Sequence, residues 1–304
     1  MPLALAVDFG GTKVEAALID EDGRMLAGSR HRQATGARAE ASVLESAVEH
    51  VTAGALAALP PTANLAGVGI GSAGPIDRDA GRVSPLNVPA WRGHPLREQL
   101  EAAVPGVPVR LEIDGLCIAL AENWTGATRG CGTSMGMIVS TGVGGGLIVD
   151  GRPVHGTTGN AGHIGHVEVA GFEDPCACGG IGCLEAIASG PKTVAWARRQ
   201  GWSGDTGEDL AAAHASGNEV AQAAVARSGT ALGRAIASAT ALCDLEAVAI
   251  GGGFSRVAPE LFDHIRAAIR ERTSWEFVRK VRVLPSGLSD EGPLVGAAAL
   301  IHRP

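Results

Sequence analysis

No apolar run in the 304 residues is long enough to cross a bilayer, so no membrane-spanning segment is expected. The N-terminus shows no charged stretch followed by a long apolar one and a cleavage site, so no leader peptide is expected. Positive charge is scarce. With 25 Lys and Arg against 32 Asp and Glu, the net charge is −7. A general nucleic-acid binder would need a basic face, so that class is set aside. There is no long linker and no low-complexity tail. Cys117, Cys131 and Cys243 are scattered and suggest no disulfide framework. A soluble, reduced, cytoplasmic protein is the simplest expectation.

The length suggests two domains, and a hydrophobic fraction of 45% can fill two cores. Glycine is abundant, at 44 residues, so tight turns and close backbone approaches are expected. Residues 3–8 (LALAVD) read as a buried strand that runs into Phe9-Gly10-Gly11-Thr12-Lys13. A second strand over 14–19 and a third near Met25 follow. The glycine amides of such a hairpin can point at one spot and bind phosphate. Lys13 would add charge, and Asp8 could hold magnesium through water. An ordinary hairpin remains the plain alternative.

Further on, a helix is expected over 39–59, a strand over 66–71, a short helix over 94–104, a strand over 107–114 and a helix from 115 to 123. Asp114 therefore stands where a strand hands over to a helix. It is either an N-cap or a catalytic carboxylate at a strand's carboxyl end. The pattern then restarts. Residues 136–140 read as a strand, 141–146 (TGVGGG) as a second glycine turn and 147–150 as the returning strand. Comparing VDFGGTKVEAALIDEDGR from Val7 with VSTGVGGGLIVDGR from Val139 shows one unit used twice. Two such turns facing one cleft could grip a polyphosphate from both sides.

The densest chemistry lies in GHIGHVEVAGFEDPCACGGIGCLE, residues 162–185. Cys176, Cys178 and Cys183 fall within eight residues, and His166 lies ten residues upstream of the first. Three thiolates and an imidazole form a closed tetrahedral set that suits structural zinc. A disulfide would strand one sulfur. Beyond this segment, helices are expected over 184–199, 218–243, 259–272 and 292–301, and strands over 245–250 and 280–284. Gly251-Gly252-Gly253 at a strand end would let a flat group such as adenine lie on bare backbone, with a tight turn as the plain alternative.

These motifs together resemble the ROK family, which comprises repressors, open reading frames and sugar kinases. The resemblance spans the chain and rests on Asp8–Lys13, Thr141–Gly145 and Cys-X-Cys-Gly-X-X-Gly-Cys-X-Glu from Cys176 to Glu185. It implies an actin-like, ribonuclease-H-like α/β fold with two lobes around a cleft. Residues 1–118 and 290–304 would form the smaller lobe and 119–289 the larger. It also implies ATP, Mg2+ and phosphoryl transfer to a sugar hydroxyl, usually at carbon 6, in a homodimer or homotetramer.

By the same resemblance, Asp114 is the catalytic base, and Gly71, Asn87, His163, His166 and Glu185 contact the sugar. Asp8, Gly10, Gly11, Thr12, Lys13, Thr141, Gly142, Gly144 and Gly252 serve the nucleotide and its metal. Zn2+ sits on His166, Cys176, Cys178 and Cys183. A repressor of the family would carry a helix-turn-helix before the first turn, for which the seven residues ahead of Asp8 leave no room. Two positions depart from the usual pattern. Ile113 stands where Asn usually precedes the catalytic Asp, and His163 stands where Glu is usual. The latter resembles bacterial N-acetylmannosamine kinases. Such a kinase is the expected activity, with a glucokinase or a non-catalytic sugar sensor as alternatives.

Overall fold

A computed structural model describes residues 1–303 except 37, 87 and 289. The chain opens with β1 (Pro2–Phe9), β2 (Lys13–Asp20), β3 (His31–Ala34), α1 (Ala41–Ala57) and β4 (Asn64–Ser72). A two-stranded ribbon of β5 (Ile76–Asp77) and β6 (Arg82–Val83) follows, then α2 (Leu96–Ala103), β7 (Val109–Ile113) and α3 (Asp114–Trp124). The strands form a sheet in the order β3-β2-β1-β4-β7. β1 is buried on both faces, which is why its sequence runs apolar without alternation. The third strand expected near Met25 is only a single bridge to Ile19. The real third strand, His31-Arg32-Gln33-Ala34, is a partly exposed edge whose polar sequence hides it from hydrophobic patterning.

The second half repeats the plan with β8 (Ser134–Val139), β9 (Val143–Val149), β10 (Arg152–Pro153), α4 (Leu184–Ala188), α5 (Gly190–Arg199), α6 (Gly207–Ala215), α7 (Glu219–Cys243), β11 (Ala247–Gly251), α8 (Glu260–Arg272), α9 (Glu276–Arg279) and β12 (Arg282–Pro285). Its order is β10-β9-β8-β11-β12. In each sheet the first three strands are antiparallel and the last two pairings are parallel. The duplication legible in the two glycine turns thus extends to whole sheets.

The second glycine turn is shorter than its sequence suggests, because β9 begins at Val143 and Gly144–Gly146 lie within the strand. These glycines serve packing. A methyl at Gly146 would overlap the α3 backbone at Leu116, and one at Gly115 would overlap the Gly145 carbonyl. The single helix expected over 184–199 is two, because Ser189 is extended and Pro191 follows in the first turn of α5.

The last helix, α10 (Gly292–His302), returns to the first half. Its Leu294–Leu300 stretch joins a core with β1, β2, β4 and α3, while a separate core runs from Met135 to Val283. α10 and α3 touch so closely that a methyl at Gly296 would collide with the Cys117 carbonyl. Among the described residues, no helix is long and apolar enough to cross a membrane.

Candidate active site

The first glycine turn closes with Gly10 N–H donating to the Lys13 carbonyl at 2.9 Å, and Thr35 Oγ1 donates to the Gly10 carbonyl at 3.0 Å. Gly11 is partly exposed and Thr12 is exposed. Lys13 is not free, because its ammonium pairs with the buried Glu15, which also holds Arg30 at 3.0 Å and Arg32 at 2.6 Å. Burial would raise the Glu15 carboxyl, but the hydrogen bonds from Lys13 and Arg32 win and hold it below the usual range. At the second turn, Ser140 N–H donates to the Gly142 carbonyl at 2.9 Å and Thr141 is exposed. Glu185, in the first turn of α4, accepts the Val143 N–H at 3.0 Å on Oε2, so its carboxylate rests on this turn. Gly252 follows β11 and passes against the Val139 carbonyl, at the same end of the sheet. Among the described residues, no hydrogen bond joins the first turn to the second.

Two carboxylates lie between these turns. Asp8 is 6% exposed at the end of β1, and no side chain or N–H bonds its oxygens among the described residues. Burial, with Asp114 adding repulsion, pushes it up to about 7. The buried Gly71 at the end of β4 borders it, with a Cβ position 3.7 Å from Asp8 Oδ1. Asp114 is the first residue of α3, and the cap position belongs to Ile113. Its Oδ1 accepts only the neighbouring Gly115 N–H, at 2.7 Å. Its oxygens reach no donor deeper in the first turn of the helix, so it does not cap α3. Burial first, opposed by that N–H and aided by Glu185, raises Asp114 to about 6. Gly144 lies beside it, with a Cβ position 4.0 Å from Asp114 Oδ1, rather than in the turn.

His166 and the three cysteines form a cluster of their own. His166 Nδ1 is 3.7 Å from Cys176 Sγ, Cys178 Sγ is 3.6 Å from Cys183 Sγ, and all four ligand atoms lie within 4.8 Å of one another. A zinc tetrahedron with ~2.3 Å bonds to sulfur has sulfur–sulfur edges of ~3.8 Å. The separations suit that ion and are far too long for a disulfide. Hydrogen bonds from Cys176 N–H to the Gly180 carbonyl and from Gly179 N–H to the Cys176 carbonyl fold the loop that gathers the sulfurs. His163 is half-buried, and burial with the neighbouring His166 lowers its proton affinity, which favours the neutral ring. Asn87 lies outside the described residues.

Several participants carried no sequence signal. Glu112, almost fully buried, binds Arg78 and lies 2.9 Å from His155 Nδ1. Asn160 bonds both backbone groups of Ile76. Arg227 of α7 pairs with Asp174 in the cysteine loop and stacks 5.1 Å from the Phe172 ring and 5.4 Å from that of Trp196. Each of these joins residues more than thirty positions apart, which no spacing rule reveals.

A profile of the ROK family matches residues 4–304. A glucokinase of Thermotoga maritima is 32% identical over 316 residues, covering 98% of this chain and 97% of its own. An N-acetylmannosamine kinase of Salmonella typhimurium is 32% identical over 268 residues, covering 88% of each. The crystal structure of a ROK family glucokinase from Streptomyces griseus, in complex with glucose and AMPPNP, superposes with a TM-score of 0.85 at 31% identity. That match covers 99% of this chain and 100% of that one. The fold is therefore the actin-like ATPase fold of two lobes.

Proposed function

The chain belongs to the ROK family, and on that premise we propose that it is an ATP-dependent sugar kinase. It phosphorylates the 6-hydroxyl of a hexose or N-acetylhexosamine, with N-acetylmannosamine the first choice. Residues 1–118 with 290–304 make the smaller lobe and 119–289 the larger. The observation that carries the sugar choice is that the two unusual positions are neighbours. A Cβ placed on Gly74 would lie 2.9 Å from His163 Cε1 and 3.5 Å from Ile113 Cγ2. One corner of the cleft has thus exchanged a carboxylate and an amide for a neutral imidazole and an apolar side chain. A carboxylate there would repel the carbonyl oxygen of a carbon-2 acetamido group, and a neutral imidazole does not.

Bound ATP and magnesium supply the transferable phosphoryl group and neutralise its charge. Gly10, whose N–H closes the first turn on the Lys13 carbonyl, shapes that turn, the backbone N–H groups of Gly11, Thr12, Thr141 and Gly142 face the phosphates, Gly144 borders the reacting end, and Gly252 lies under the base. Lys13 lies beside the first turn with its ammonium held by Glu15. Asp8 would hold magnesium through water, and its buried carboxylate without hydrogen bonds suits a cation there. Asp114 takes the proton of the sugar hydroxyl as that oxygen bonds to phosphorus and ADP departs. A base near 6 is ionised at neutral pH yet still basic enough to accept. Gly71, Asn87 and Glu185 contact the sugar. His166 and the three cysteines would hold structural zinc through Nδ1, leaving Nε2 for a sugar hydroxyl.

Glucose is the second reading, favoured by the glucokinase relative that matches 98% of this chain against 88% for the N-acetylmannosamine kinase. The test is an ADP-release assay giving kcat/KM for glucose, N-acetylglucosamine and N-acetylmannosamine with wild type and His163→Glu. The expected result is a wild-type preference for N-acetylmannosamine that shifts about tenfold toward glucose in the variant. A wild-type preference for glucose that His163→Glu leaves unchanged refutes the choice.

A further inference from the structure

The segment 155–163 leaves the second lobe after β10 and reaches back to the first. At its centre Asn160 grips one residue of the β5–β6 ribbon. Its Oδ1 accepts the Ile76 N–H at 2.9 Å, and its Nδ2 donates to the Ile76 carbonyl at 2.7 Å. Nδ2 also reaches the Thr158 carbonyl and Oγ1, both at 3.2 Å. The fit is close, because a methyl on the buried Gly159 would lie 2.7 Å from Arg78 Cβ. Nearby, Arg78 pairs with Glu112 on β7, and His155 Nδ1 lies 2.9 Å from the same carboxylate.

These bonds determine the orientation of the Asn160 amide. Reversed, it would set its NH2 against the Ile76 N–H and its oxygen against the Ile76 carbonyl, losing both bonds. Oδ1 is therefore the acceptor, and His163 Nε2 lies 3.4 Å from that same oxygen. A ring nitrogen facing an acceptor must carry the hydrogen. In a neutral imidazole the other nitrogen, Nδ1, is then a bare lone pair.

We propose that Asn160 is a positioning residue that joins the lobes at the sugar side of the cleft and fixes His163 as the Nε2–H tautomer. This rests on the sugar-kinase reading above and sharpens it. His163 then presents an acceptor to the sugar. Its partner must be a donor at carbon 2, either the N–H of an acetamido group or a hydroxyl, and never the acetamido carbonyl. The neutrality of the ring allows that carbonyl to sit nearby, while the lone pair selects the face of the amide that is bound.

The test has two arms on the full chain with its zinc. In nitrogen-15 spectra of the histidine rings, wild-type His163 is expected as the Nε2–H tautomer, and Asn160→Ala should convert it to a mixture. In steady-state kinetics, Asn160→Ala and the isosteric Asn160→Asp should each raise the KM for the preferred sugar about tenfold. That is the scale of one well-formed hydrogen bond. The KM for ATP should stay unchanged and kcat should fall less than threefold. Asn160→Asp guards against misfolding, since it keeps the shape and the acceptor facing His163 but replaces the donor to the Ile76 and Thr158 carbonyls with a charged acceptor. A wild-type ring protonated on Nδ1, a tautomer indifferent to Asn160, or an unchanged sugar KM in both variants overturns the proposal. Failure of the kinase reading itself would show separately, as wild type turning over no sugar, and would leave the spectral arm intact.

Discussion

Replacing Asp114 with Asn should trade activity for stability, and both halves of the trade can be sized. The carboxylate titrates near 6 in the folded protein against 3.8 for a free aspartate, chiefly because it is buried. Folding therefore favours the protonated form. The stability this group permits is complete below about pH 3.8, is lost as pH rises through 6, and stays lost above it. A shift of about two units corresponds to an upper bound of about 3 kcal/mol borne by the ionised form at neutral pH. Asn keeps the oxygen that accepts from Gly115 and carries no charge. The ligand-free variant should melt higher than wild type by up to roughly 5 °C near pH 7.5 and should lose that advantage near pH 4. Turnover should fall on the order of a hundredfold or more, the scale of a lost general base. In wild type, kcat/KM should fall on the acid side with a midpoint near 6. Paired calorimetric melts at the two pH values and an ADP-release assay measure all of this. A variant that turns over normally, or that melts lower near pH 7.5 than wild type, refutes the reasoning.

Two other outcomes are expected. Purified protein should carry one zinc per chain by elemental analysis, and Cys178→Ser should lower both zinc content and melting temperature because metal binding and loop folding are one event. Full activity and stability in zinc-free protein would contradict this. Gly296→Ala should destabilise the protein by about 1–3 kcal/mol, because the added methyl has only the Cys117 carbonyl to enter. A denaturant midpoint equal to wild type would show that α10 and α3 can separate at little cost.

Much of this was legible in residue order. Continuous apolar runs marked β1, β4 and β8, and helical spacing marked α1, α7 and α10, because their periods are written locally. The cysteine cluster was equally plain, since its ligands are neighbours in sequence. The glycines of β9 misled, because the residue that makes a turn also lets a helix lie against a strand. Which of the two is needed depends on α3, some thirty residues earlier. Asn160 and Glu112 were invisible for a similar reason. One Asn and one Glu are ordinary until the fold sets them against Ile76 and His155.

The placement of α10 has a consequence for how the protein is made. The second core, from Met135 to Val283, is continuous in sequence, whereas the first needs Leu294–Leu300 to fill it. On the ribosome the second lobe can therefore finish while the first, synthesised earlier, still waits with β1, β4 and α3 uncovered on one side. Asp114 stands at the head of α3, so the carboxylate proposed as the base sits on a helix whose packing is completed only when the last helix arrives.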